Sequence, residues 1–129
     1  IILEKINVPI TNNRLIIEGA GGLMVPLNQR QTNLDLIRTL GVPVMLVARN
    51  YLGSINHTLL SIEALKANGI NLLGIIYSGD NFLDNEEIIH TFSQVPVLGR
   101  IAEAKSVDAG FVLKEAVALK ESLSHRFEI

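Results

Sequence analysis

Cysteine is missing from these 129 residues, which excludes disulfides, thiolate metal sites and a cysteine nucleophile. An excess of positive charge is missing too: 11 Lys and Arg stand against 13 Asp and Glu, a formal net charge of -2. With no basic stripe, the sequence argues against nucleic acid as a partner. No apolar run reaches the length of a bilayer span, and no charged stretch precedes a leader-like apolar one. The expectation is a cytoplasmic protein with no membrane partner. Two phosphate-binding signatures are also absent. There is no Gly-x-x-x-x-Gly-Lys-Ser/Thr, and Gly19-Ala20-Gly21-Gly22 has the wrong spacing for Gly-x-Gly-x-x-Gly. A nucleotide site built from these residues alone is incomplete. The chain opens on Ile1-Ile2-Leu3 and not on Met, as a fragment or a processed chain would.

What is present is apolar and regularly punctuated. Hydrophobic residues make up 48%, enough for a packed core in one domain over 1–129. Short apolar runs alternate with helical patterns. Arg14 to Glu18 reads as a first strand, with Leu15 to Ile17 buried on both faces. Thr32 with Asp35 resembles a helix cap, followed by Leu34, Ile37 and Leu40 on one face and a stop at Gly41. Pro43 to Ala48 is a second buried strand. A longer helix opens at Gly53-Ser54 and runs to about Asn68, with Ile55, Leu59, Ile62 and Leu65 at helical spacing and Gly69 closing it. Leu72 to Tyr77 is a third strand. Asp84 and Glu87 bracket a cap for a helix through Phe92. Val95 to Gly99 is a fourth strand. Ser106 to about Ser122 is a last helix, with Val112, Ala116, Leu119 and Leu123 near one face. Alternating strands and helices imply an α/β fold: three layers, a mostly parallel sheet flanked by helices.

Glu18 stands where the first strand ends, followed by Gly19-Ala20-Gly21-Gly22. The carboxyl edge of such a sheet is where ligands bind. A carboxylate there suits a hard cation such as Mg²⁺ shared with phosphates, and glycines let backbone approach a ligand closely. The plainer alternative is an exposed Glu and a flexible strand exit.

Glu18-Gly19-Ala20-Gly21-Gly22 with Val25-Pro26-Leu27, then Pro43-Val44-Met45-Leu46-Val47, then Leu52-Gly53-Ser54-Ile55-Asn56-His57-Thr58-Leu59-Leu60, together resemble the dethiobiotin synthetase family. Glu63-Ala64-Leu65, Gly74-Ile75-Ile76 and Pro96-Val97-Leu98-Gly99 continue the likeness. It covers about Arg14 to Gly99 and is to the family's C-terminal half; the N-terminal half, with its P-loop, has no counterpart here. The resemblance implies a partial P-loop NTPase-like fold lacking the P-loop strand. It implies a homodimer and an ATP- and Mg²⁺-dependent ligase of biotin biosynthesis, closing a cyclic urea from 7,8-diaminononanoate and CO₂. On its own the chain is expected to be inactive, and no residue is assigned to catalysis.

By the same resemblance Glu18 matches an Mg²⁺ ligand, and Gly19, Ala20 and Gly21 bring backbone amides toward phosphates. Gly53, Ser54, Ile55 and Asn56 form a helix N-terminus that takes the substrate's carboxylate across a dimer interface; ordinary capping by Ser54 is the alternative. His57 matches the family's Asn-His pair and is expected to be packed and hydrogen-bonded. Ser78 stands where the family presents an adenine-recognising Asn, and offers a single hydroxyl in place of a planar amide. Ala102, Glu103 and Ala104 run beside the nucleotide, with Ala102 replacing a proline, and Asp108 adds an acidic contact. His90 and His125 have no metal-ligand partner at useful spacing and read as surface residues. A second reading is a non-catalytic dimerisation or regulatory module derived from the same fold. A third, a partition-type or cobyrinate-synthase-type ATPase relative, accounts poorly for Ser54 to Thr58.

Overall fold

A computed structural model describes residues 1–80 and 82–127, the side chains of Glu4, His125, Arg126 and Phe127 excepted. The expectation for His125 therefore lies outside the described residues. Residues Ile1–Val42 form one compact unit, and those from Pro43 onward form another.

The first unit holds one α-helix, α1 (Asn33–Leu40). Its start is the expected one. The Asp35 carboxylate accepts from the Thr32 N–H at 2.8 Å and from the Thr32 hydroxyl at 3.0 Å. The backbone bond first, and the hydroxyl's after it, hold its pKa below the ordinary carboxylate value, with desolvation opposing them and Arg38 adding a smaller lowering. The first helical amides also find partners: Asn33 N–H donates to the Val25 carbonyl and Leu34 N–H to the Leu23 carbonyl.

The expected first strand is not formed. Residues 14–18 are irregular and exposed, with Ile16 82% accessible. A strand exists only as half of a ladder, and this segment pairs with no strand among the described residues. Aliphatic composition alone did not distinguish a strand from a segment of strand-like sequence without a partner.

The second unit contains β1 (Val44–Arg49), α2 (Ser54–Ala67), β2 (Leu72–Ser78), α3 (Leu83–Ser93), β3 (Val97–Ile101) and α4 (Ala109–Phe127). The strands pair in parallel in the order β1-β2-β3. The expected α/β class with a parallel sheet flanked by helices is thus observed. Ile62 of α2 and Ile89 of α3 pack with Ala48, Ile75, Tyr77 and Val95, joined by Leu46, Ile55, Leu59 and Leu72. This is one face of the sheet, since Leu46, Ala48, Ile75 and Tyr77 alternate along paired strands. On the other face α4 meets β3 where Leu119 sits against Gly99.

Four details differ from expectation. Strand β1 is not buried on both faces: it alternates, and Val47 is 63% exposed, because α4 lies over β3 and, among the described residues, no helix of this unit covers β1's outer face. Strand β3 begins at Val97, two residues late. Pro96 cannot donate to a ladder and instead accepts from the Ile75 N–H at 2.9 Å. Asp84 does not cap α3; the helix starts at Leu83, and Asp84 lies inside its first turn. Helix α4 starts at Ala109, where Asp108 Oδ1 accepts from the Phe111 N–H at 2.8 Å. The face it turns toward the rest of the unit carries Phe111, Glu115, Leu119 and Leu123, while Val112 and Ala116 are exposed.

Candidate functional site

Within the first unit, the glycine-rich loop is shaped by Asn33. Asn33 is 4% exposed, and its side-chain amide donates to the carbonyls of Ala20 at 2.9 Å and Gly22 at 3.0 Å. In a trans peptide the N–H points opposite to the C=O. With those two carbonyls turned toward α1, the N–H groups of Gly21 and Leu23 are turned away from it. Gly21 has φ of 76°, and an added Cβ would meet Val25 Cγ2 at 2.8 Å, so only glycine fits. A Cβ at Gly22 would meet nothing within 4 Å. Glu18 precedes this loop and is exposed. Asn33 was not anticipated from the sequence; its place beside a capping Thr carried no signal that its amide would fold the loop.

Helix α2 does not begin in the alternative way, with Ser54 as its cap. Gly53, with φ of 98°, is the residue before the helix, and Ser54 is its first helical residue. Ser54 is 3% exposed, its N–H donates to the Tyr51 carbonyl at 2.9 Å, and its hydroxyl has no partner. Asn56 is exposed, while Ile55 packs against the core. His57 shares a 2.6 Å hydrogen bond with the Tyr51 hydroxyl through Nδ1, their rings 5.7 Å apart. Of the expectation that His57 is packed and hydrogen-bonded, the hydrogen bond is present, but the residue is exposed. His90 also behaves as expected: it is exposed, and Nδ1 lies 3.0 Å from the Val95 carbonyl oxygen.

The carboxyl ends of the three strands bring together Arg49, Ser78, Gly79, Ala102 and Glu103. Ser78 is aligned with Arg49 on one side and Ile101 on the other. The Gly79 N–H donates to the Ile101 carbonyl at 3.0 Å. Arg49 pairs with Glu103 at 3.3 Å, and both side chains lie near Gly79. Ala102 N–H approaches Glu115 Oε2 at 3.4 Å, and Ala104 is half-buried. Asp108 is engaged in capping α4, as described. Ser78, Ala102 and Glu103, singled out separately along the sequence, therefore share one edge.

Beneath that edge lies a polar cluster that the sequence reading missed. Asn50 donates to the Asp80 carbonyl at 3.2 Å and to Glu86 Oε1 at 3.1 Å. Glu86 Oε2 accepts from Arg100. The Arg100 guanidinium lies 5.9 Å from the centre of the Tyr77 ring. Burial pushes the Tyr77 phenol up to about 12, the Glu86 charge adding to the rise and Arg100 opposing it. The available signal was Glu86 on the i, i+3, i+7 face shared with Ile89 and Ser93, which placed a carboxylate on an inward stripe. Among the described residues no three His, Cys, Asp or Glu side chains cluster as a ready metal site, and no helix is long and apolar enough to cross a membrane.

Comparison with known proteins then bears on this geometry. A family model described as an AAA domain matches residues 1–110. The ATP-dependent dethiobiotin synthetase BioD of Christiangramia forsetii is 49% identical over 121 residues, covering 94% of this chain and 58% of that protein. The protein of the same name from Rhodopseudomonas palustris strain TIE-1 is 42% identical over 126 residues, covering 98% of this chain and 56% of that protein. The biotin biosynthesis bifunctional protein BioCD of Bordetella avium is 49% identical over 105 residues, covering 81% of this chain and 23% of that protein. The chain spans little more than half the length of the two BioD relatives. On the family match over residues 1–110 the chain belongs to the AAA domain family, and over most of its length it is similar to ATP-dependent dethiobiotin synthetases.

Proposed function

We propose that this chain is the part of a dethiobiotin synthetase that carries the strand-edge nucleotide contacts, one magnesium-ligating carboxylate and the substrate-carboxylate helix. The P-loop is supplied by sequence outside these residues. The observation that carries this reading is the start of α2, where left-handed Gly53 precedes a buried Ser54 whose hydroxyl has no partner. A helix N-terminus favours an anion, and the unpartnered hydroxyl adds a donor for a carboxylate. The chemistry that fits is that of its relatives, ATP-dependent synthesis of dethiobiotin.

In that reaction one amine of 7,8-diaminononanoate takes up CO₂ as a carbamate. ATP phosphorylates the carbamate oxygen, the second amine attacks the carbonyl carbon, and phosphate leaves as the ring closes. Such phosphoryl transfer asks the protein mainly for positioning and charge neutralisation. Helix α2 would hold the diamine's carboxylate through its first amides, Ser54 and Asn56. Ser78 and the Ala102–Ala104 segment would border the base, with Glu103 and Asp108 near by. The amides of Gly21 and Leu23, turned away from α1, would face phosphate oxygens.

The donor set fits Mg²⁺ in the mode where one protein carboxylate is supplemented by phosphates and water. Glu18 is exposed beside a loop with open space at Gly22. Mg²⁺, when bound, would neutralise charge on the phosphates. A homodimer, with α2 serving the partner's site, and a cytoplasmic setting belong to the same proposal.

A coupled ATPase assay with diaminononanoate and bicarbonate tests it. The 129-residue chain alone is expected to show no turnover, and joining it to a P-loop-bearing segment should restore activity. Robust turnover by the isolated chain would overturn the claim of incompleteness. The second reading, a non-catalytic module, draws on Ser78, Ala102 and the missing P-loop motif. Upstream coding sequence separates the two: an in-frame Gly-x-x-x-x-Gly-Lys-Thr supports the enzyme, and a stop codon or unrelated sequence supports the module.

A further inference from the structure

Past the ends of β1 and β2 the backbone pairing dwindles to the Gly79–Ile101 bond, and side chains help to hold the strand exits. Here one buried carboxylate does so. Glu86 of α3, 6% exposed, takes the Asn50 amide on one oxygen and Arg100 on the other. Asn50 follows β1, Arg100 lies in β3, and the second hydrogen of the Asn50 amide holds the Asp80 carbonyl just past β2. Both partners of the Asn50 nitrogen are acceptors, so the amide orientation is settled. Its oxygen is left buried without a partner, as are Arg100 Nη1 and the Tyr77 hydroxyl.

Stability does not account for this arrangement. Desolvation offsets much of a buried ion pair's attraction, and apolar residues of similar volume often serve as well or better. A network with three unpartnered atoms is worse still, because each buried donor or acceptor left over carries its own desolvation cost. The arrangement sits, moreover, at the edge where parallel sheets bind ligands, and it is bonded to Asp80, which follows Ser78 and Gly79 in the chain.

We propose that Asn50, Glu86 and Arg100 are positioning residues for the nucleotide, holding the backbone from Ser78 to Asp80 in the placement against which the base is read. They touch no ligand and act through the Asp80 carbonyl and the strand ends. This rests on the nucleotide reading above.

The test uses this chain joined to its P-loop segment, with ATP and GTP as probes. In an apolar triple variant, Asn50→Leu with Glu86→Leu and Arg100→Met, the thermal midpoint should hold or rise. The KM for ATP should increase about tenfold with a much smaller change in kcat, as expected when misplacement weakens uniform binding. Preference for ATP over GTP should shrink. If the triple variant does not fold, Asn50→Ala leaves the ion pair intact; it should raise the KM for ATP about threefold and speed hydrogen exchange at the Gly79 amide, which bonds the Ile101 carbonyl. Parental KM and parental ATP preference in a folded variant would overturn the inference alone. A parent protein that binds no ATP would overturn the nucleotide reading, and the inference with it.

Discussion

Single residues in the second unit are constrained by what a side chain would strike. A Cβ at Gly74 would lie 2.6 Å from the Pro96 carbonyl oxygen and 2.6 Å from Leu98 Cγ, whereas at Gly99 it would lie 2.2 Å from the tip of Leu119. Backbone cannot yield as a leucine methyl can. Overpacking should therefore cost about 3 kcal/mol in Gly74→Ala and about 1 kcal/mol in Gly99→Ala, with backbone strain at φ of 157° and 155° added in each, measured by urea unfolding. Tyr77 makes a second prediction. Its folded pKa is raised to about 12 from 10.0. The unfolded chain thus loses this proton first, and stability falls as pH rises from about 10 toward 12. Tyr77→Phe should remove that alkaline loss; an unchanged pH profile would show that Tyr77 is not its source.

The ends of the elements show how local chemistry sets structure. In α1, Thr32 and Asp35 start the helix, and their bonds hold the Asp35 carboxyl below its ordinary value. For a depressed carboxylate the contribution is fully present above pH 3.8 and is lost as pH falls through the folded pKa. Chemical shifts of α1 should follow that acid transition in the parent and lose it in Asp35→Asn. Thr32→Ala should destabilise the helix by about 1 kcal/mol. This start was legible from residue types alone, because a cap is a bond between neighbours. The start of α3 was not. Asp84 has the right chemistry for a cap, but the helix begins one residue earlier, and the nearby carboxylate that matters is Glu86, engaged by Asn50 and Arg100 from distant parts of the sequence.

At the scale of the whole molecule, exposed apolar surface is the dominant fact. Leu15, Ile16 and Ile17 are exposed, and Met45 and Val47 lie open on β1. Unpaired edges and apolar patches of this kind favour association. Sedimentation should show the isolated chain self-associating at high concentration. Ile16→Lys should reduce that association while changing unfolding free energy by no more than about 0.5 kcal/mol, as for exposed sites generally. A clean monomer in the parent would count against the reading of these residues as surfaces awaiting a partner.

Sequence alone determined what depends on neighbours and periodicity. The caps of α1, the helical stripe of α2, the alternation that makes a parallel sheet, and the motif set from Glu18 to Asn56 were all readable because each lies within one stretch of chain. Tertiary structure decided what depends on partners far apart in sequence. It left Leu15 to Ile17 without a ladder, since aliphatic residues make a strand only when another strand accepts their hydrogen bonds. It exposed one face of β1, since burial depends on which strand a helix covers. It also brought Asn50, Glu86 and Arg100 into one buried network, because three parallel strands end side by side and a carboxylate on the next helix can reach the groups at their ends.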